Sequence, residues 1–510
     1  MTTPLFHWLQ NRSAGLLLHP SSLPSDSGIG NFGREARRLI DFMQAAQLRV
    51  WQVCPLGPTG YGDSPYQCFS AFAGNPYFID PQPLVTAGLV DAHALAPLQR
   101  LDRNRVNYGA LYETFWPVLS RAFERFAGDP HDLDGYGSYD DFKRRHAEWL
   151  EPHALFQACK QHYGGQPWFE WPKAHRSFSS ALKTDLPQKL AHGCEAQRFF
   201  QYLFFGQYGL LRTYAHQRQI QIMGDIPIFV ALDSADVWAN PEIFQLQNSG
   251  KPSRVAGVPP DYFAPEGQLW GNPLFDWKAL AKDHYGWWLK RLQHSFALYD
   301  IVRIDHFRGF ESYWSVPAAD TDARNGEWVE GPGLDFFKTV AHAMPEARLV
   351  AEDLGVLTEA VLKLRADTGL PGMGVLQFAF GGDNDNFYLP HNLDLNCVVY
   401  PGTHDNNTSR GWYDNAPETQ RDHFRRYLRV SGEHAGWDLI RAAYASVPKM
   451  AVFALQDLMS LGGEARLNTP GQAAGNWQWR YHPCQLDQTW RESAGYLAEL
   501  AALYRRDASA

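Results

Sequence analysis

The sequence predicts a parallel β-sheet closed into a (β/α)8 TIM barrel. Three observations carry that expectation: eight short apolar runs, helical patterns between several of them, and polar or glycine-rich segments where the runs end. The runs are 15–18, 50–53, 220–225, 301–305, 349–352, 375–378, 398–400 and 450–455. Residues 34–47 place Leu39, Phe42, Met43 and Ala46 at helical spacing. Thr358 predicts an N-cap for a helix carrying Val361, Leu362 and Leu364, and residues 283–299 predict a third helix.

Strand spacing is uneven. The long stretch between the second and third runs, 57–215, exceeds what one crossover needs and predicts a subdomain inserted in a barrel loop. It opens on the turn-rich segment Gly57-Pro58-Thr59-Gly60-Tyr61-Gly62-Asp63-Ser64-Pro65-Tyr66. A second long connection, 233–277, contains Gly257-Val258-Pro259-Pro260-Asp261-Tyr262-Phe263. Loops that follow barrel strands build the active-site face, so both insertions are expected to overhang it. Residues 505–510 read as a frayed end.

Composition narrows the function classes. With 45% hydrophobic residues, the 510-residue chain can bury a large core, and its net charge of −9 gives no basic footprint for nucleic acid. No apolar run is long enough to span a membrane, and the N-terminus has no secretory apolar core. Six scattered cysteines without a C-x-x-C pair read as free thiols in a reducing compartment, which predicts a cytoplasmic protein. The 18 Trp, 23 Tyr and 31 Phe lean toward carbohydrate, because sugar C–H faces stack on aromatic rings.

Arg303 and Asp305 stand two apart in a strand, so their side chains share a face, and the guanidinium favours an ionised carboxylate. Alone, the pair reads equally well as structural. Two further acids follow candidate strands, Glu352 after the fifth and Asp405 after the seventh. Each by itself fits a helix cap or an ion pair. Together, parallel topology brings all three to one rim. Breaking a glycosidic bond needs an acid for the leaving oxygen and a carboxylate for the oxocarbenium centre, which attacks it if the two stand about 5–5.5 Å apart. Asp305 fits the nucleophile. Glu352 fits the acid, since neighbouring Asp353 raises its pKa if the two side chains converge, although an extended strand turns Asp353 away. Asp405, between His404 and Asn406, fits hydrogen bonding to sugar hydroxyls.

The motifs Arg303-Ile304-Asp305-His306, Ala351-Glu352-Asp353-Leu354-Gly355 and Thr403-His404-Asp405-Asn406 resemble the nucleophile, acid/base and stabiliser motifs of the α-amylase clan. A sharper resemblance, to the 4-α-glucanotransferase (amylomaltase, disproportionating enzyme) family, rests on segments 60–67, 70–76, 224–230, 257–263, 271–273 and 466–471. It implies retaining transfer of α-1,4-glucan segments, with Asp305, Glu352 and Asp405 in those three roles. It also implies that Tyr66 stacks on the donor sugar, and that Asp225, Arg303, His306, His404 and Asn468 bind its hydroxyls or orient the nucleophile. Ser64 belongs to the same binding set, 257–271 to a lid, and Trp270 to a sugar platform; Tyr61 and Tyr108 resemble more distant glucan contacts. The resemblance further implies α-1,4-glucans (maltooligosaccharides, starch or glycogen fragments) as partners, no obligate protein partner, and no metal or organic cofactor. Neither extra N-terminal domains nor a separate C-terminal β domain is expected.

Three other readings compete. An α-glucan hydrolase shares the covalent intermediate and differs only in using water as acceptor. A non-catalytic glucan binder has no need of all three acids. A nucleotide-sugar transferase would need a phosphate loop, and no glycine-rich loop opening a helix is present.

Overall fold

The computed structural model describes residues 4–508 except 61, 261–263, 356 and 473. In chain order its strands are β1 (Ser13–Leu17), β2 (Val50–Gln52), β3 (Gln221–Pro227), β4 (Arg254–Val258), β5 (Gln268–Pro273), β6 (Ile301–Asp305), β7 (Ser312–Pro317), β8 (Glu327–Glu330), β9 (Leu349–Ala351), β10 (Gly372–Val375), β11 (Cys397–Tyr400) and β12 (Met450–Ala454). Eight of them form one parallel sheet in the order β10-β11-β12-β1-β2-β3-β6-β9. Its ends approach one another through a hydrogen bond from Ala351 N–H to Pro371 O at 2.9 Å, which makes the sheet a (β/α)8 barrel.

Seven barrel strands fall on the expected apolar runs. The sixth differs: β10 covers Gly372–Val375, while Leu376–Gly381 winds into a 3-10 helix. Glycines hide this strand in the sequence. A Cβ on Gly374 would meet the Leu393 side chain at 2.5 Å, so the close approach requires glycine. A second sheet, antiparallel with order β5-β4-β7-β8, is absent from the sequence reading. Its strands are short and interrupted by Gly257, Gly271 and a register shift between Val255 and Gly257.

The expected helices appear as Arg34–Ala45, Gly286–Leu298 and Glu359–Thr368, the last capped by Thr358, whose side chain accepts from Val361 N–H. Between β2 and β3 the chain is helical, with Tyr108–Gly128, Tyr139–His162 and Ala191–Gln217 the longest pieces. The last of these anchors on the barrel, where Tyr208 Oη donates to Leu298 O at 2.8 Å. A continuous apolar cluster joins these helices to the barrel wall. No helix among the described residues is long and apolar enough to cross a membrane.

The chain end is not frayed as far as Arg506. This side chain is fully buried and donates to the carbonyls of Tyr444, Ser13, Lys449, Ala443, Ser446 and Pro448, at 2.8–3.3 Å. It closes the bottom of the barrel around the entries to β1 and β12. Arg506→Ala leaves those carbonyls without their donors and is expected to cost about 3–5 kcal/mol. Urea unfolding checks this; a midpoint equal to that of the unaltered chain would contradict it.

Candidate active site

Every acid singled out in the sequence lies at or just past the C-terminal end of a barrel strand. Asp225 sits in β3, Asp305 ends β6, Glu352 follows β9, and Asp405 lies in the loop after β11. In register, Asp225 pairs with Arg303, and Pro227 with Asp305.

Arg303 is the hub. It is buried inside the barrel, and Nη1 donates to Asp225 Oδ2 at 2.5 Å and to Asp305 Oδ1 at 3.0 Å. Its Nε rests on the Met373 thioether at 3.4 Å. Burial acts to lower the guanidinium pKa, but Asp225 and then Asp305 outweigh it, so the charge is secure. Asp305 keeps its side chain 28% exposed, so its carboxylate is both held and accessible.

Tyr66 covers Asp225. Its hydroxyl donates to Asp225 Oδ2 at 2.9 Å and lies 2.8 Å from His404 Nε2. With the phenol proton given to the carboxylate, His404 Nε2 carries the proton of the second bond. The Tyr66 and His404 rings stack at 5.3 Å, with Trp477 packed against both. Burial, then Asp225, raises the Tyr66 pKa well above normal, keeping it a phenol. Asp225 itself is closed off from solvent; burial pushes its pKa up and Arg303 opposes that. Its place behind Tyr66 suits it to orienting Tyr66 and Arg303. Ser64 is half-buried, and its Oγ accepts from Tyr66 N–H at 3.3 Å, shaping the turn that presents the ring.

Glu352 is bound through the backbone to the end of β6, the strand of Asp305. His306 adopts a left-handed conformation (φ 54°), and its N–H donates to Glu352 Oε2 at 2.7 Å. Leu354 N–H donates to Oε1 at 3.0 Å. Burial of the carboxyl is the main cause that lifts the Glu352 pKa to about 8; Arg303 opposes it and Asp305 adds to it. Asp353 does not converge on Glu352, the one arrangement in which it would raise this pKa. Its carboxylate turns away to Arg365 Nη1 at 2.6 Å and Met373 N–H at 2.8 Å, as strand alternation dictates.

The His306 ring stands edge-on to Trp270 at 4.9 Å between centroids, and burial lowers its pKa to about 4, so it is neutral near pH 7. Trp270 lies in β5, its indole N–H given to Gln268 Oε1 at 3.1 Å, so the second sheet delivers the aromatic to His306, the residue after Asp305. Across the rim, Asn468 Nδ2 donates to Asp405 Oδ1 at 2.6 Å, and His404 Nε2 lies 3.4 Å from Oδ2. Tyr108 is packed rather than free: its hydroxyl donates to Trp477 O at 2.9 Å. Tyr61, and the part of the 257–263 motif formed by Asp261, Tyr262 and Phe263, lie outside the described residues.

Three contributors escaped the sequence reading. Arg466 donates to Asp405 O and to Asn468 O, fixing the loop that carries the acid. Trp477 backs Tyr66 and His404, and Met373 supports Arg303. Arg466 carried a usable signal, the same two-residue spacing to Asn468 that links Arg303 to Asp305; the other two lie far along the chain from their partners. Among the described residues no three His, Cys, Asp or Glu side chains are grouped to hold a metal ion.

The rim therefore offers a carboxyl group at Asp305 held by Arg303 and able to donate an electron pair, a protonated carboxyl at Glu352, a third acid at Asp405, and aromatic walls at Tyr66 and Trp270. That set suits cleavage and remaking of a glycosidic bond. Known proteins agree with it. The family model described as 4-alpha-glucanotransferase matches residues 18–487. The 4-alpha-glucanotransferase of Thermus thermophilus is 46% identical over 485 residues, covering 93% of this chain and 96% of its own. That of Streptococcus pneumoniae is 44% identical over 504 residues, covering 98% of each. Among solved structures, amylomaltase from Streptococcus agalactiae, determined in complex with acarbose, superposes with a TM-score of 0.92 at 36% identity, covering 97% of this chain and 99% of that one. Sequence, fold and rim chemistry converge: the chain belongs to the 4-alpha-glucanotransferase family.

Proposed function

We propose that Asp305 is the nucleophile, Glu352 the acid/base and Asp405 the stabiliser of a retaining transfer between α-1,4-glucans. The observation that carries this is the division of labour imposed by Arg303 and burial: the guanidinium pairs with Asp305, while Glu352 is left with a raised pKa. Glu352 gives its proton to the leaving glycosidic oxygen as Asp305 attacks C1, and a glycosyl ester forms on Asp305. The departing segment vacates the acceptor side. A second glucan then presents its 4-hydroxyl, Glu352 takes that proton, and the ester breaks as the new bond forms.

Tyr66 serves as the stacking face for the sugar at the cut. His404 and Asn468 orient Asp405 and reach sugar hydroxyls, and Asp225 and Arg303 orient the nucleophile. His306, neutral and edge-on to Trp270, forms the acceptor-side wall with that indole. Partners of this reaction are maltooligosaccharides and the linear parts of starch or glycogen fragments. A cytoplasmic location fits the six free cysteines.

Incubation with maltotriose tests transfer against hydrolysis. Transfer gives glucose together with maltooligosaccharides longer than the donor. Glucose and maltose without longer products would overturn transfer in favour of hydrolysis.

A further inference from the structure

Behind Tyr66, between the end of β3 and the helix Gly286–Leu298, lies a cavity of about 50 Å3. Most of its lining is apolar. Two of its lining residues are nevertheless charged and closed from solvent, Asp225 at 1% and Arg291 at 2% exposure. Each keeps one buried atom that meets no protein partner, Oδ1 of Asp225 and Nε of Arg291. Buried polar atoms pair almost without exception with protein or ordered water, and a volume of this size admits a small number of water molecules.

Arg291 is a costly group to bury here, because Asp236 acts on it only through space and forms no ion pair with it. Its hydrogen bonds converge on one place. Nη2 donates to Pro227 O at 2.7 Å and Nη1 to Ile228 O at 3.3 Å, while the guanidinium lies against the rings of Trp287 and Trp288. Those carbonyls belong to the last residue of β3 and the one after it. Pro227 is the register partner of Asp305, and Asp225, two residues earlier, is the partner of Arg303. Arg291 thus sets where β3 stops, and the same strand end sets Asp225, which holds both Tyr66 and Arg303.

We propose that Arg291 is a positioning residue for the transfer reaction: it clamps the end of β3, and water held between its Nε and Asp225 Oδ1 carries that constraint to the Arg303–Asp305 pair. This rests on the reading of Asp305 as nucleophile, which Asp305→Asn tests separately. Arg291 never touches the sugar. Its removal leaves the binding surface in place and loosens the geometry of attack, and small misplacements of reacting groups are expensive in rate.

The test uses the full chain with Arg291→Met, Arg291→Lys and Ala73→Val, the last filling the cavity from another wall. Steady-state transfer from maltotriose is measured below each variant's unfolding temperature. Arg291→Met is expected to lower kcat about tenfold to hundredfold with KM changed less than about threefold. Arg291→Lys recovers part of that loss, since an ammonium can reach the carbonyls but not the carbonyls and the cavity together. A merely structural role predicts the opposite split: a lower Tm with kcat intact. Wild-type kcat in folded Arg291→Met overturns the proposal; if that variant does not fold, wild-type kcat in Arg291→Lys does so. An unchanged kcat in Ala73→Val with its cavity filled overturns the water link.

Discussion

Asp305→Asn is expected to lower transfer kcat by at least about 10^4-fold while leaving maltooligosaccharide binding within a fewfold of the unaltered chain. Asparagine keeps the size and the oxygen that accepts from Arg303 Nη1, so the Arg303–Asp225 pair and the Tyr66 hydroxyl bond survive. It cannot form the glycosyl ester at a useful rate, because a neutral amide oxygen is a poor nucleophile. Binding is read from titration of indole fluorescence with a maltooligosaccharide, and turnover from product release. Retention of turnover within about tenfold would remove Asp305 from the mechanism. Asp305→Gly with added azide sharpens the result. The small anion occupies the space of the lost carboxylate and attacks C1 as Glu352 protonates the leaving oxygen, and the product is the glycosyl azide of inverted configuration. That configuration reports the face on which Asp305 stands.

Much of this site was readable in the sequence because a carboxylate at the end of an apolar run is a local pattern. Asp305, Glu352 and Asp405 needed only strand recognition, and parallel topology did the rest. What hid from the sequence was set by partners far along the chain. Strand alternation already turned Asp353 away from Glu352, but its partner Arg365, twelve residues on in the helix Glu359–Thr368, did not show. Arg506 looked solvated beside Arg505 and Asp507, yet six carbonyls from two distant segments, Ser13 and 443–449, close around it. The antiparallel sheet that brings Trp270 to His306 was illegible for another reason. Its strands pair only with one another, and the glycines within them, Gly257 at a close approach to the Gln268 carbonyl and Gly271 at a positive φ, read as loop. The sixth barrel strand was displaced by the same effect at Gly372 and Gly374.

Glu352→Gln separates the chemistry of this carboxyl from its cost to the fold. Transfer between glucans is expected to fall by about 10^3-fold or more, because no proton reaches the leaving oxygen. A donor with fluoride at C1 needs no such proton. With α-maltosyl fluoride, Asp305 attacks C1, the C1–F bond breaks, and fluoride leaves; without a base to activate the acceptor, the maltosyl ester accumulates. Mass analysis of the digested protein then finds one maltosyl group on the peptide that carries Asp305. The same variant is expected to gain stability relative to the unaltered chain as pH rises, set against a pH-independent loss because its amide nitrogen cannot accept from one of the N–H groups of His306 and Leu354. The folded pKa of Glu352 is raised from 4.5 to about 8. Below about pH 4.5 folded and unfolded chains both hold the proton; as pH rises toward 8, the unfolded chain releases it first, and stability is lost. Glutamine does not titrate, so the gain of the variant over the unaltered chain grows across that window, by about 1–3 kcal/mol up to pH 7. Thermal unfolding at pH 4.5 and pH 7 reads the difference. A gain that shrinks with rising pH would mean that burial does not hold Glu352 protonated. The same protonation sets the activity profile of the unaltered chain: kcat/KM falls as pH passes the Glu352 pKa, because the proton needed for departure is then gone.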